Sequence, residues 1–398
     1  MRGLFSFYLS LPCHGFGNGD MGMAGQRQAG IVRDFEIDDI DDVARLFQAT
    51  FRASHKPSAD LKAHLEQAFF AHPWAEPDIR SKVFTGQDGR PAGFVGVFPA
   101  RLELEGRPLR AALAGSMVVE DPKGNPLAGA RLLRSVLSGP QDISLTETAN
   151  QTALGMWQKA GYPLDTGYSF NWLRLLRPVS AIVDIAARRA APARLLLPFG
   201  RIADRAASLL RQVPFEPQRS DQSRIAFSDV RLDAFRDALL ALARHYPLHP
   251  RWDEASLDWF LRQAEAKRKF GYPEWRVGHS PNGNITGAYA YFSRPGGIAW
   301  LLQALSVPGA EGDLVEDMFV HAHAMGASGL RGAAHPWLIP ALMSRKTLFY
   351  GRTFYIAHAR DPALLEPVRS GRALISGIAG ESWTRLIGDR FDEGSSAD

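Results

Sequence analysis

Residues 111–137 read AALAGSMVVEDPKGNPLAGARLLRSVL, and the fold is decided there. Residues 111–119 are a short apolar run with small side chains, which suits a buried strand. Residues 120–124 break it. Asn125 and Pro126 then open a helix, Asn as N-cap and Pro at the first helical position, where a missing N–H costs nothing. Leu132, Leu133, Val136 and Leu137 recur at helical spacing and give that helix an apolar face. Strand, short glycine-containing turn, helix N-terminus: the free amides and the dipole's positive end suit an anion such as a phosphate.

The stretches before it alternate in the same way. Residues 31–37 (IVRDFEI) predict a strand, and the acidic start of DDIDDVARLFQATFR predicts a helix. A second short helix is expected at 61–70. Val83 and Phe84, the turn Asp88-Gly89, and 93–99 form a hairpin signature. Residues 101–105, Gly106 and 109–119 form another. After the helix, 143–148 (ISLTET) predict a fifth strand and 149–159 a helix that ends at Gly161.

The second half repeats this pattern. Asp88-Gly89, Gly93 and Phe98 recur as Asn282-Gly283, Gly287 and Phe292, each pair 194 residues apart. Around them, helices are expected at 232–245, 253–267, 313–325 and 337–345, and strands at 275–278, 298–305 and 330–334. In the second copy the strand–helix loop is SVPGAEGDLV, where Glu311 and Asp313 would repel phosphate.

Two motifs carry a family resemblance. KGNPLA (123–128) resembles the acyl-CoA pyrophosphate loop of the GCN5-related N-acetyltransferases, R/Q-x-x-G-x-G/A after a strand. NQTALGMWQKAGY (150–162) resembles that family's second signature, with Asn150, Ala153, Met156, Lys159, Gly161 and Tyr162 in register. Lys123 stands for Arg or Gln, and Pro126 for the middle glycine, which removes one backbone donor. The resemblance implies α/β (α+β) architecture with two such domains, each a mixed, mostly antiparallel sheet flanked by helices. The expected division is a disordered or mis-assigned N-terminal extension at 1–28, a first domain with the acyl-CoA site at 29–175 and a basic helical connector at 176–215. A degenerate second domain follows at 216–390, with a disordered tail at 391–398.

The resemblance also implies acetyl-CoA as cosubstrate. Backbone groups of Met117, Val118 and Val119 would pair with its pantetheine arm. Lys123, Gly124, Asn125, Leu127, Ala128 and Gly129 would hold the pyrophosphate, with Asn150 nearby. Small residues at 128 and 129 would let phosphates approach the amides, though close helix–strand packing wants small residues too. Trp157 stands where the family often has an acidic tyrosine, and Tyr162 is the fallback. Glu147 and Glu120 are candidate bases; each also reads as a solvated strand-end carboxylate.

Composition sets outer limits. With 398 residues, 45% hydrophobic and 22% charged, the chain can bury a large core in about two domains. A net charge of +4 with no basic–aromatic cluster argues against nucleic acid and suits an anionic ligand. Cys13 is the only cysteine, which excludes an intrachain disulfide and a cysteine metal cluster. The histidines make no metal set: His321 and His323 face different ways on a helix. Residues 1–25 faintly resemble a signal peptide but lack an A-x-A site, and a start at Met21 or Met23 is the plainer reading. Residues 174–215, rich in Ala, Leu and Arg, predict two or three short basic amphipathic helices. These are either a solvated connector or a surface resting on an anionic membrane.

The function expected is N-acyl transfer to the amine of a small molecule, sugar or peptide, in a bacterial cytoplasm or at its membrane face. Two rivals stand beside it: a non-catalytic protein that retains the fold, and a FemAB-type aminoacyl transferase that uses no CoA.

Overall fold

The computed structural model describes residues 30–52, 57–86, 88–160 and 167–189, and residues 216–391 apart from 218, 221, 222, 224, 268, 352, 388 and 390. Two mixed, mostly antiparallel sheets carry the chain. In the first, β1 (Val32–Asp34), β2 (Lys82–Thr85), β3 (Pro91–Leu104), β4 (Arg107–Val119) and β5 (Ile143–Ala149) pair in sequence order. Neighbours are antiparallel except β4 and β5, which run parallel. The two hairpins expected from sequence share one uninterrupted strand, β3, which runs the whole way from Pro91 to Leu104. Its return turn uses Glu105 and Gly106, with φ of 50° and 87°. Paired left-handed residues are what a two-residue turn matched to strand twist requires.

Side chains alternate across this sheet. Phe94, Phe98 and Leu102 of β3 face α1 (Ile40–Arg52) and α2 (Ala59–Phe69), whereas Val95 and Val97 face α3 (Ala128–Leu137) and α4 (Gln151–Lys159). The sheet thus has a helix pair on each side, and the β4–α3 junction falls at its centre.

The second sheet repeats the order with β7 (Ala226–Asp229), β9 (Tyr272–His279), β10 (Ile285–Ser293), β11 (Ile298–Ser306) and β12 (Gly329–Ala333). Strand β8 (Leu248–Pro250) joins the hairpin end of β3 instead. Helices α6 (Leu232–Ala243) and α7 (Glu254–Glu265) pack in the core shared with the first sheet, and α8 (Glu311–Ala324) packs on the other face.

The two halves trade strands. β6 (Phe170–Leu175) leaves the first half and lies between β12 and β13 (Leu348–Gly351) in the second sheet. In return β14 (Phe354–Ala359) comes back to pair with β5. The boundary expected at 175 therefore cuts across both sheets. Trp172 of β6 holds the exchange in place: it is fully buried, its ring meets Phe319 edge-on at 5.9 Å, and its Nε1 donates to the Ala333 carbonyl at 3.1 Å. One core cluster then runs from α1 and β3 through α6 and α7 to residues 373–391. Phe391, expected in a disordered tail, is 1% exposed. Of the basic connector, α5 (Pro178–Arg189) is described and 190–215 lie outside the described residues.

This exchange predicts that neither 1–215 nor 216–398 folds alone, because each would lack an inserted strand and expose sheet backbone to water. Expressed separately, both should be insoluble or lack a cooperative melt, and co-expression should restore one. A sharp melting transition in either isolated half would contradict the expectation.

Candidate functional site

β4 and β5 pair only where Ala111–Leu113 face Ile143–Leu145. Beyond that point they part, and a wedge opens between the two parallel strands. A bulge in β4 accompanies the parting. Phe94 pairs with Val118 and Gly96 with Gly115, so Ser116 and Met117 together oppose the single residue Val95. Ser116 has φ of 53°, a left-handed conformation that costs a non-glycine residue roughly 1 kcal/mol or more. A bulge bends its strand and takes backbone groups out of the ladder. Here it does so at the mouth of the wedge.

The wedge is crossed by the chain's own C-terminal segment. Glu147, on β5, accepts from Gly377 N–H (3.1 Å), Glu381 N–H (2.9 Å) and Ser382 Oγ–H (3.2 Å). Glu381 in turn accepts on Oε1 from Glu147 N–H (3.2 Å) and Thr148 Oγ1–H (2.8 Å). Its other oxygen, Oε2, is buried, with no hydrogen-bond partner among the described residues. That oxygen lies over Gly115, where any Cβ would collide with it. Two carboxyls therefore share one buried site. Burial raises the pKa of Glu147 despite its three donors. Burial, and next the Glu147 charge, push Glu381 up to about 8.

Lys267 anchors the same segment. Its Nζ donates to the carbonyls of Ser382 (2.8 Å), Thr384 (2.8 Å) and Ile387 (2.9 Å). Burial lowers its pKa to about 7. Arg385 adds a paired contact to Asp60 at 2.8 and 2.7 Å.

At the open end of β4 lies the loop expected to hold pyrophosphate. Its turn is closed by Asp121, whose Oδ1 accepts from Lys123 N–H (3.2 Å) and Gly124 N–H (2.9 Å). The helix starts later than the Asn-Pro pair predicts. Leu127, not Asn125, is the N-cap, because the Asn125 carbonyl accepts from Ala128 N–H in a turn of its own. Ala128 is 2% exposed and packs in the core beside Leu132, so its small size serves packing. Gly129 faces Met156, with room for a Cβ only at 3.0 Å from the sulfur. Leu127 is exposed at the helix start. An anion docking on this loop would meet Lys123 and the helix N-terminus, and would compete with Asp121 for two amides.

The other sequence candidates scatter. Val118 is buried in the core, while Met117 and Val119 lie at its edge. Glu120 is at the surface in an ion pair with Arg45 at 2.7 Å. Asn150 caps α4, its Oδ1 accepting from Ala153 N–H at 2.9 Å. Trp157 is 2% exposed, a core residue. Tyr162 lies outside the described residues. Sequence reasoning missed Glu381 altogether. It is 234 positions from Glu147, and IAGESWT has no periodicity to single it out. Glycines 377 and 380, which let the chain pass close to Glu147 and Gln303, were the one available trace.

A separate open cleft of about 610 Å³ lies at the hairpin end of β3–β4, with Arg101, Glu103, Arg244, His249, Arg251 and Asp253 in its walls. No helix among the described residues is long and apolar enough to cross a membrane.

No family model and no curated protein matches this sequence. Solved structures do match its shape. A GCN5-related N-acetyltransferase from Anabaena variabilis superposes with TM-score 0.54 at 9% identity, over 83% of this chain and 73% of that one. A conserved protein of unknown function from Enterococcus faecalis, described as a probable N-acyltransferase, gives 0.52 at 11% identity, over 83% and 72%. The chain has the fold of the GCN5-related N-acetyltransferases.

Proposed function

We propose that this chain is an acyl-CoA-dependent N-acyltransferase. The observation that carries the reading is the β4–β5 wedge with a left-handed residue, Ser116, at its mouth and an anion-compatible helix start at the end of the same strand. A thioester needs those parts in that order. Backbone groups that the bulge takes out of the regular ladder can align the pantetheine arm and polarise the carbonyl. The helix N-terminus and Lys123 can take the phosphates. The wedge is closed inward by the Ala111–Ile143 pairing and by Glu381. The acyl group of this reading is a short one, acetyl. The acceptor is a primary amine, of a small molecule, a sugar or a peptide, since the reaction requires only a nucleophile that can lose a proton.

A second reading, a binding protein without catalysis, has one observation in its favour: Asp121 already occupies two amides of the loop. One substitution tests the loop, and thiol release from acetyl-CoA, present in a transferase and absent in a binding protein, separates the two readings. Leu127→Asp places a carboxylate at an exposed N-cap position, where it costs no packing and suits the helix by about 1 kcal/mol. Stability should hold or rise slightly. Acetyl-CoA affinity, by titration calorimetry, should fall tenfold or more, because carboxylate and phosphate would compete. A wild-type protein that takes up no acetyl-CoA ends the transferase reading. Unchanged affinity in the variant removes the phosphates from this loop.

A further inference from the structure

Every group needed to move a proton in the wedge comes from a part of the chain that the two sequence motifs do not include. The C-terminal segment enters at Ala373, which bridges to Leu248, and is pinned at Ile378, whose N–H donates to Gln303 Oε1 at 2.7 Å. Lys267 then fixes 382–387. Between these pins the segment has one job that the fold does not require: it places a carboxylate in the gap between β4 and β5. Glu147 is satisfied by three donors, all from that segment. Glu381 has one oxygen tied to β5 and one free, and the free one faces Gly115 beside the bulge.

Resting on the transferase reading, we propose that the Glu381 carboxylate is the base that takes the proton of the attacking amine, and that Glu147 is a positioning residue that holds it in the wedge. In the step, the amine nitrogen forms the new C–N bond to the thioester carbonyl carbon and the C–S bond breaks. The nitrogen's proton passes to Glu381 Oε2, and the departing sulfur leaves as thiolate and is protonated by solvent. A buried oxygen with no partner among the described residues is suited to this, since no hydrogen bond there lowers its basicity. A buried carboxylate tied on both oxygens would be a poor base. Gly115 is explained as well: any side chain there would collide with the carboxylate oxygen and push Glu381 out of its place.

The charged group that faces Glu381 is Glu147 on β5, and Lys267, after α7, acts in turn on Glu147. Glu147 and the burial keep Glu381 protonated at neutral pH, so the base form grows as pH rises.

The test uses the full chain, acetyl-CoA, and spermidine, glucosamine and a lysine peptide as acceptors, with water in their place where none reacts. Thiol release reports turnover and calorimetry reports acetyl-CoA binding. Wild-type turnover should rise with pH along a limb with its midpoint near 8 and level off above it. Glu381→Gln keeps an acceptor for Glu147 N–H and Thr148, so it should fold and bind acetyl-CoA within twofold of wild type. Its turnover should fall 100-fold or more and the pH limb should vanish. Glu147→Gln should lower turnover less and shift the limb. An infrared difference between wild type and Glu381→Gln should contain a protonated carboxyl band at pH 7 that disappears by pH 10. If wild type binds no acetyl-CoA, the transferase reading fails first. If it binds and Glu381→Gln turns over at the wild-type rate with the limb intact, or the carboxyl band is missing, the assignment of the base alone is overturned.

Discussion

Glu381→Gln should make the protein more stable at neutral pH, by on the order of 3 kcal/mol, while removing its proposed base. Folding raises the Glu381 pKa from the usual carboxylate range to about 8, chiefly through burial and next through Glu147. Between pH 4.5 and 8 the folded chain therefore holds a proton that the unfolded chain has released. Stability falls as pH rises through that window and is level above it. Glutamine carries no such cost, and its carbonyl can still accept from β5. The gain should be small at pH 5, approach its full size by pH 8, and be read from denaturant midpoints at three pH values. An equal effect at every pH would mean that packing, not ionisation, separates the two proteins. A residue that destabilises its own fold and can be replaced at a profit is expected at a functional position, where selection keeps strain that stability alone would remove.

That residue also marks the limit of the sequence. The strand–loop–helix at 111–137 is local, so its apolar periodicity and turn residues specify most of it, and the same holds for the repeated hairpin 194 residues on. What was not legible is non-local. Ser116 is a serine in a glycine's conformation, forced there by the bulge, and its residue type carries no sign of it. Trp172 and Phe354 look like strand residues in either half; only the packing of Trp172 on Phe319 and the pairing of Phe354 with Ala149 decide that they cross over. Asp121 reads as a turn former, and its capture of the Lys123 and Gly124 amides follows from a geometry that composition does not fix. The helix expected at 149–159 is α4, but its capping by Asn150 was not read from the sequence, and the carboxyl that joins Glu147 in the wedge arrives from 381.

The largest expected response is to acid. His64, His72 and His335 are buried at 3–4% exposure, and each accepts or donates one fixed hydrogen bond: to Thr384, from Trp74 N–H and with Ser376. Burial lowers their pKa values to about 3, 3 and 4, with Arg385 next in importance for His64 and Arg101 for His72. Below pH 6.5 the unfolded chain gains protons on all three that the folded chain refuses, so stability drops as pH falls towards those values. Each histidine contributes about 1.4 kcal/mol per pH unit in that window. Glu381 opposes them by the same slope down to its unfolded value, and Glu147 acts in the same sense as Glu381. Below pH 4.5 that opposition ends. For a total stability at the lower end of about 5–15 kcal/mol, that loss brings cooperative unfolding near pH 4. His72→Phe provides the control, since the ring lies among Phe98, Trp259, Phe260 and Trp383. Losing the Trp74 contact will lower stability at pH 7 by about 1 kcal/mol. The slope of stability against pH, however, should fall by one proton, about 1.4 kcal/mol per unit between pH 6 and 5. Slope and intercept thus separate the charge effect from the packing effect, and a variant with the wild-type slope would mean that His72 is not held neutral by the fold.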